Sequence, residues 1–311
     1  MSHSFLKESK LFIVYGGNKY RIYTNTAIDF SQTFAEDSYP VKTLHDQSKM
    51  FEGSNITKAN NANVSFTVPL TIEKDESIVM DLLSDIVTTV DAGITTQQLK
   101  SFDLYVQTGS STFKIESVVI TSATFQFNPR EPFVLELEGQ GVKLSRAGDE
   151  SYTIPGSAQS ESSTRTPLLV YPVISIDSLS MNSLISANLS IQNEIEWTAY
   201  ETLQSSLAVT NSSNAMYPST YTLGKRIASG AVTQYQTDNN ITQFDDFNTN
   251  SNLVLKAVQV GKQSSDSGFF AINLNPVSYT ARMGVAEVYT QSYDFTSTDN
   301  TALSTRITQY S

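Results

Sequence analysis

Along most of this chain every second residue is apolar over short runs, the period of a β-strand with one face buried. Leu11, Ile13 and Tyr15 alternate up to Gly16–Gly17–Asn18, and Tyr20 and Ile22 follow. Paired glycines supply positive φ without a Cβ clash, so the spacing predicts a hairpin closed by a primed turn. The segment from Phe30 to Leu70 reads as an arm with strand-like ends and a polar middle, Asp37 to Asn63. It returns through Asn63–Leu70, where Val64, Phe66, Val68 and Leu70 share one face and Pro69, lacking a backbone donor, falls near the strand end. Ile78, Val79, Leu82, Leu83, Ile86, Val87 and Val90 recur at helical spacing and predict one helix. Asp75 and Glu76 would sit in its first turn and Gly93 just past its end. Strands at Phe102–Val106 and Phe113–Ile115 precede a hairpin. In it, Ala123, Phe125 and Phe127 run into Asn128–Pro129–Arg130–Glu131–Pro132, and the chain returns with Phe133, Leu135 and Leu137 inward and Val134, Glu136 and Glu138 outward.

Residues Ser145 to Pro167 are rich in Ser, Gly and Pro and lose apolar periodicity from Gly156, which marks a linker. The predicted organisation is a first domain over 1–147, a linker over 148–167 and a second domain over 168–311. The second half repeats the order strand, long loop, strand, helix, strand, hairpin. Leu189, Ile191, Ile195, Trp197 and Ala199 share one strand face; Ser190, Gln192, Glu194, Glu196 and Thr198 share the other. A polar loop follows over 205–221, then a return strand over 231–237 and a short helix around Ile241, Phe244 and Phe247. The strand Leu253–Val260 and a final strand pair, Phe269–Leu274 with Val277–Val288, complete the half.

Composition narrows the function. At about 100–200 residues per domain, 311 residues suggest two domains, with one large β domain as the alternative. Charged residues are 16% of the chain, against roughly 25% in an average globular protein, and Ser, Thr, Asn and Gln fill the gap. Strands with such outward faces suit a neighbouring surface or a wet wall. Cysteine is absent, which excludes disulfides and thiolate metal sites and fits maturation in a reducing cytoplasm. The N-terminal residues do not read as a signal peptide, since Glu8 interrupts a short apolar stretch, and no run of about 18 apolar residues predicts a membrane anchor. The formal net charge is −11 without a basic cluster, so specific nucleic-acid binding is not expected. Lys225–Arg226, the nearest thing to a patch, reads as a solvated loop.

Candidate chemistry is sparse. The two histidines, His3 and His45, fall in the terminus and in the polar arm. No phosphate loop or nucleophile elbow occurs, and Gly139–Gln140–Gly141 reads as a strand end or bulge. Glu136/Glu138 and Glu194/Glu196 each lie on one strand face about 6–7 Å apart, a spacing open to a glycosidase-like pair but ordinary for a solvated face. Asp245–Asp246 and Asp294/Asp299 lack the spacing of a calcium loop. No cofactor, metal site or enzymatic activity is expected.

The arm over Phe30–Leu70, the return strand Val64–Leu70, the helix Ile78–Val90, the strand Phe102–Val106 and the hairpin Ala123–Gly139 together resemble the tail tube proteins of long-tailed phages. That fold is shared with the inner tubes of contractile injection systems. The likeness covers about 140 residues well and the second half more weakly. The resemblance implies a mostly β chain of two tandem tail-tube-like β-sandwich domains, each with one flanking helix and a long hairpin arm. It implies trimeric, pseudo-hexameric rings that stack into a channel through which phage DNA passes without specific binding. Lys42, Asp46, Lys49 and Glu52 would make contacts between rings. Glu136, Glu138, Gln192, Glu194 and Glu196 would face the lumen. Expected partners are further copies, the tape measure, the tail terminator, the tail tip or baseplate and, in a contractile tail, the sheath. The expected location is the virion tail, after synthesis in the host cytoplasm. A tail-tip, hub or tube-initiator ring of the same apparatus is the alternative, and an extracellular β-sandwich adhesin a more distant one.

Overall fold

A computed structural model of the chain describes residues 9–38, 54–84, 86–91, 94–177, 179–197, 217–218, 221–238, 240, 247–260, 270–285, 287–298 and 307–309. The fold is mostly β. The first half begins with β1 (Lys10–Tyr15), β2 (Asn18–Ile22), β3 (Asp29–Ser31), β4 (Phe34–Ser38), β5 (Ser54–Ala59) and β6 (Ala62–Pro69). Helix α1 (Ser77–Ser84) follows, then β7 (Ile86–Asp91), β8 (Ile94–Leu99), β9 (Phe102–Gln107), β10 (Ser111–Gln126), β11 (Val134–Gly141) and β12 (Lys143–Asp149). After β13 (Ser157–Ala158) the second half contains β14 (Val170–Ile176), β15 (Leu179–Ser180), β16 (Leu184–Trp197), β17 (Tyr221–Tyr235), β18 (Phe247–Gln259), β19 (Phe270–Val285), β20 (Tyr289–Thr298) and β21 (Ile307–Gln309).

The alternating runs form the predicted strands. β1 and β2 pair around Gly16 and Gly17, whose φ values of 58° and 79° are those of the predicted primed turn. β6 buries Val64, Phe66 and Val68 and ends at Pro69, as its missing donor requires.

One long strand serves two sheets in the first half. Residues 111–118 of β10 pair with β9 and β12, and β9 continues to β1 and β2. Residues 119–126 pair instead with β11, which continues to β6 and β3. The register shifts at the crossing, where Ser117 has φ 50°. Gly141 lies against this bend: a Cβ there would come 2.6 Å from the Ile115 side chain and 2.9 Å from the Glu116 carbonyl. The Gly139–Gly141 stretch is thus the end of β11, shaped by close backbone approach.

The second half repeats these pairings. β19 pairs with β18 and β21 through its first residues and with β20 through its last. The buried row Ile13–Leu104–Ile115 across β1, β9 and β10 has its counterpart in Ile174–Leu255–Ile272 across β14, β18 and β19. Between the halves, Ser122–Gln126 of β10 pairs directly with Asn188–Gln192 of β16. An unbroken antiparallel order β3–β6–β11–β10–β16–β17–β20–β19 results. Its inner side joins one hydrophobic core drawn from both halves. Phe125, Phe127 and Phe133 meet Phe270 there, with ring centroids 5.0, 6.1 and 5.3 Å away.

Several expectations are corrected. The helix stops at Ser84, and the β-branched run Val87–Thr88–Thr89–Val90 forms β7 in a ribbon with β8. Asp75 and Glu76 precede the helix instead of occupying its first turn. Phe247 begins β18; Ile241 and Phe244 lie outside the described residues, and α1 is the only helix among those described. Phe270–Val285 is one strand, paired with Tyr289–Thr298, instead of two strands paired with each other. Lys225 and Arg226 lie within β17, and Arg226 is 1% exposed.

The stretch read as a linker is stitched to the first half. Ser157 N–H donates to Gly17 O at 3.0 Å, and β13 pairs in parallel with β2. Thr166 N–H donates to the Glu73 carboxylate at 2.8 Å, and Ser162 binds Asp75 through N–H and hydroxyl at 3.0 and 2.9 Å. The Arg165 guanidinium lies 3.3 Å from the Tyr23 ring centre.

Candidate functional site

Strand alternation places a polar face opposite the core along the eight-strand order. One register row crosses it as Thr67, Glu136, Thr124, Ser190, Ser229, Thr296 and Ser278. Its neighbours along the same strands, Val68, Leu135, Phe125, Leu189, Phe295 and Tyr279, are buried on the other side. A second polar row runs Ser65, Glu138, Ser122 and Gln192.

All five residues expected to line a lumen fall on this face. Glu136 stands opposite Thr124, Glu138 opposite Ser122, and Ser122 opposite Gln192, so the two halves meet within one surface. Gln192, Glu194 and Glu196 are exposed on β16, while Asn193 between them is buried. A depression of about 530 Å³ spans the junction, lined by Thr121, Ser122, Glu138, Gln192, Glu194 and Lys225. The Arg282 guanidinium is held by Asp294 at 2.9 Å. Among the described residues the face thus offers mainly hydroxyls, amides and carboxylates, with exposed Lys225 and the paired Arg282 as its cations, so a phosphate backbone finds few positive charges to grip.

Polar side chains hold the halves in register beneath this face. The buried Arg226 guanidinium donates to Asn193 Oδ1 at 2.7 Å, Leu83 O at 3.1 Å and Ser84 O at 3.3 Å. The last two are carbonyls at the C-terminal end of α1, where the helix dipole favours a cation. Asn193 in turn donates to Ile120 O at 2.8 Å. The Trp197 indole donates to Gln140 at 2.9 Å, and the Tyr221 hydroxyl donates to Leu99 O at 3.0 Å. Burial pushes the Tyr221 hydroxyl up to about 12. Beside the strap over 157–167, the buried Glu76 carboxylate accepts from the N–H and hydroxyl of Thr71. Burial raises its carboxyl above the ordinary value, although the Thr71 hydrogen bonds oppose the rise.

The arm leaves the sheet edge as the ribbon β4–β5. Gln32 locks its root: the amide donates to Asn60 O at 2.8 Å and Val142 O at 3.0 Å, and accepts from Leu144 N–H at 2.9 Å. Lys42, Asp46, Lys49 and Glu52 lie outside the described residues, as does His45. Among the described residues no group of three or more His, Asp or Glu side chains is arranged to hold a metal.

The sheet thus spans two repeated halves and is polar on one side. The family model described as Bacteriophage Baseplate Tube Protein Family matches residues 1–308. The chain belongs to this family. No curated protein matches it. As a baseplate tube protein it is a structural component of a phage tail, located in the virion and working in contact with other tail or baseplate proteins. No described helix is long and apolar enough to cross a membrane.

Proposed function

We propose that the baseplate tube protein is a non-enzymatic ring subunit. Three copies, each contributing two tube domains (1–147 and 168–311, joined by 148–167), enclose a channel for the phage genome. The observation that supports this reading is the junction between β10 and β16. β19 is the second half's counterpart of β10, and β3 leads the first half as β16 leads the second. Among the described residues, β3 pairs with β6 alone, and Ala281–Val285 of β19 pairs with β20 alone. Such edges are templates for further pairing, and joining β19 of one copy to β3 of the next repeats the internal junction. Eight strands from each of three copies, spaced about 4.8 Å and tilted about 40°, give a backbone radius of roughly 24 Å. Two copies would give only a porin-sized pore of 16 strands. Glu136, Glu138, Gln192, Glu194 and Glu196 would face the lumen and repel phosphates, so DNA slides without being held.

Size-exclusion chromatography with mass determination and negative-stain electron microscopy tests the reading. Rings of three chains with six-fold appearance are expected; a protein that stays monomeric at every concentration would refute it. The family description also favours a ring near the baseplate over one repeated along the whole tail. A baseplate ring forms finite assemblies on its own, whereas a repeating subunit polymerises into long tubes. In either case the arm would meet the adjoining ring through Lys42, Asp46, Lys49 and Glu52. Replacing residues 40–52 by a short Gly–Ser turn should leave rings intact and abolish stacking.

A further inference from the structure

The two halves differ at one end of the sheet. In the first half the end of the β10–β11 hairpin is covered: Phe125, Phe127 and Phe133 are all 0% exposed. The cover comes from the second half. Phe270 packs on all three rings, Phe133 N–H donates to Leu168 O at 2.7 Å, and Arg130 N–H donates to Val170 O at 2.8 Å. The matching end of the β19–β20 hairpin is bare. Met283, Val285, Val288 and Tyr289 are 44, 76, 52 and 56% exposed. Strand alternation puts Met283 and Val285 on the same side as Ala281, which packs against the core, so the bare residues prolong the core-facing side past its last covered layer.

The first half also holds the surface that would cover such an end. Phe270 occupies the row Pro172–Ala257–Phe270, and the corresponding row across β1, β9 and β10 is Leu11–Val106–Phe113. Phe113 is half-buried and meets half-buried Phe30 at 5.4 Å, with half-buried Leu144 nearby on β12. The chain thus carries a hairpin end without a seat and a seat without a hairpin end, at opposite extremes of the sheet. Such a pair is satisfied head to tail by a second copy.

We infer that the β19–β20 hairpin end of one copy seats on Phe30 and Phe113 of the next, repeating between chains the contact that the β10–β11 end makes with Phe270 within one chain. This rests on the ring reading above and adds to it a second, side-chain interface outside the sheet edge. The cysteine-free chain allows a direct test. Val285→Cys and Arg146→Cys variants, the latter on an exposed residue paired in register with Phe113, are mixed and treated with a short bis-maleimide. A cross-linked pair containing one of each variant is expected. Val285→Asp should raise the protein concentration needed for ring assembly at least about ten-fold, because it places a charge in an apolar contact; its melting temperature as a monomer should be unchanged. Rings that form without the mixed cross-link, and with Val285→Asp assembling at the wild-type concentration, would overturn this inference and leave the ring reading standing. Absence of both rings and cross-link for otherwise folded protein would overturn both.

Discussion

Replacing Arg226 should loosen the joint between the halves more than any surface substitution. The guanidinium is 1% exposed and donates to three acceptors, Asn193 Oδ1, Leu83 O and Ser84 O. A hydrogen bond to a charged group contributes about 1.5–3 kcal/mol, and each buried acceptor left without a partner costs about 1–3 kcal/mol. Met in place of Arg refills the volume and removes the desolvation of a buried charge, which offsets part of the loss. The net expectation for Arg226→Met is a destabilisation of about 3–4 kcal/mol. Lys supplies the charge without the planar fork and should recover only about half of it. Trp197, the single tryptophan, reports on the same joint because its indole donates to Gln140 across the halves. Urea unfolding of dilute protein followed by its fluorescence is therefore the assay. With an m-value of about 3 kcal/mol/M, the midpoint of Arg226→Met should fall by about 1 M. A shift below about 0.2 M, or an equal shift for exposed Lys225→Met, would refute the reasoning.

Glu76 predicts a pH dependence. Its folded carboxyl titrates above the ordinary value of 4.5 because it is buried, so the ionised folded form carries a cost that is absent below about that pH. The cost grows as pH rises through the folded value. Stability should decline across that window, and Glu76→Gln should remove the decline, so its melting temperature relative to wild type is higher near neutral pH than near pH 4. Gly141→Ala should cost about 1–3 kcal/mol by thermal denaturation, because its Cβ meets the Ile115 side chain and the Glu116 carbonyl at the bend of β10. Ser190→Lys with Ser229→Lys adds two cations in register on the polar face. Assembly should be unaffected, while DNA retention by the assembled protein, read by a salt-dependent binding assay, should rise from near background.

Local alternation made much of this legible. Leu135 and Leu137 against Glu136 and Glu138, or Leu189 and Ile191 against Ser190 and Gln192, assign both faces of a strand, and that period is why all five expected lumen residues share one surface. Ile86, Val87 and Val90 misled because helical spacing also fits a short β-branched strand. Arg226 misled for a different reason. Beside Lys225 it looks solvated, yet it has the same parity along β17 as buried Ala228 and Val232, and that signal was available. The junction of Ser122–Gln126 with Asn188–Gln192 joins segments more than sixty residues apart in the chain. No periodicity within either strand specifies its partner, so the register rows of Thr and Ser hydroxyls emerge only after folding.

The passage of β10 through both sheets has a mechanical meaning. Force applied to the outer sheet at residues 111–118 reaches the polar face at 119–126 through peptide bonds, without first shearing hydrogen bonds between strands. The two sheets therefore lack an independent hinge. A change of curvature between them must bend the β10 backbone itself around Ser117, where Gly141 lies close against it, so the first half should resist deformation as a stiff beam instead of yielding layer by layer.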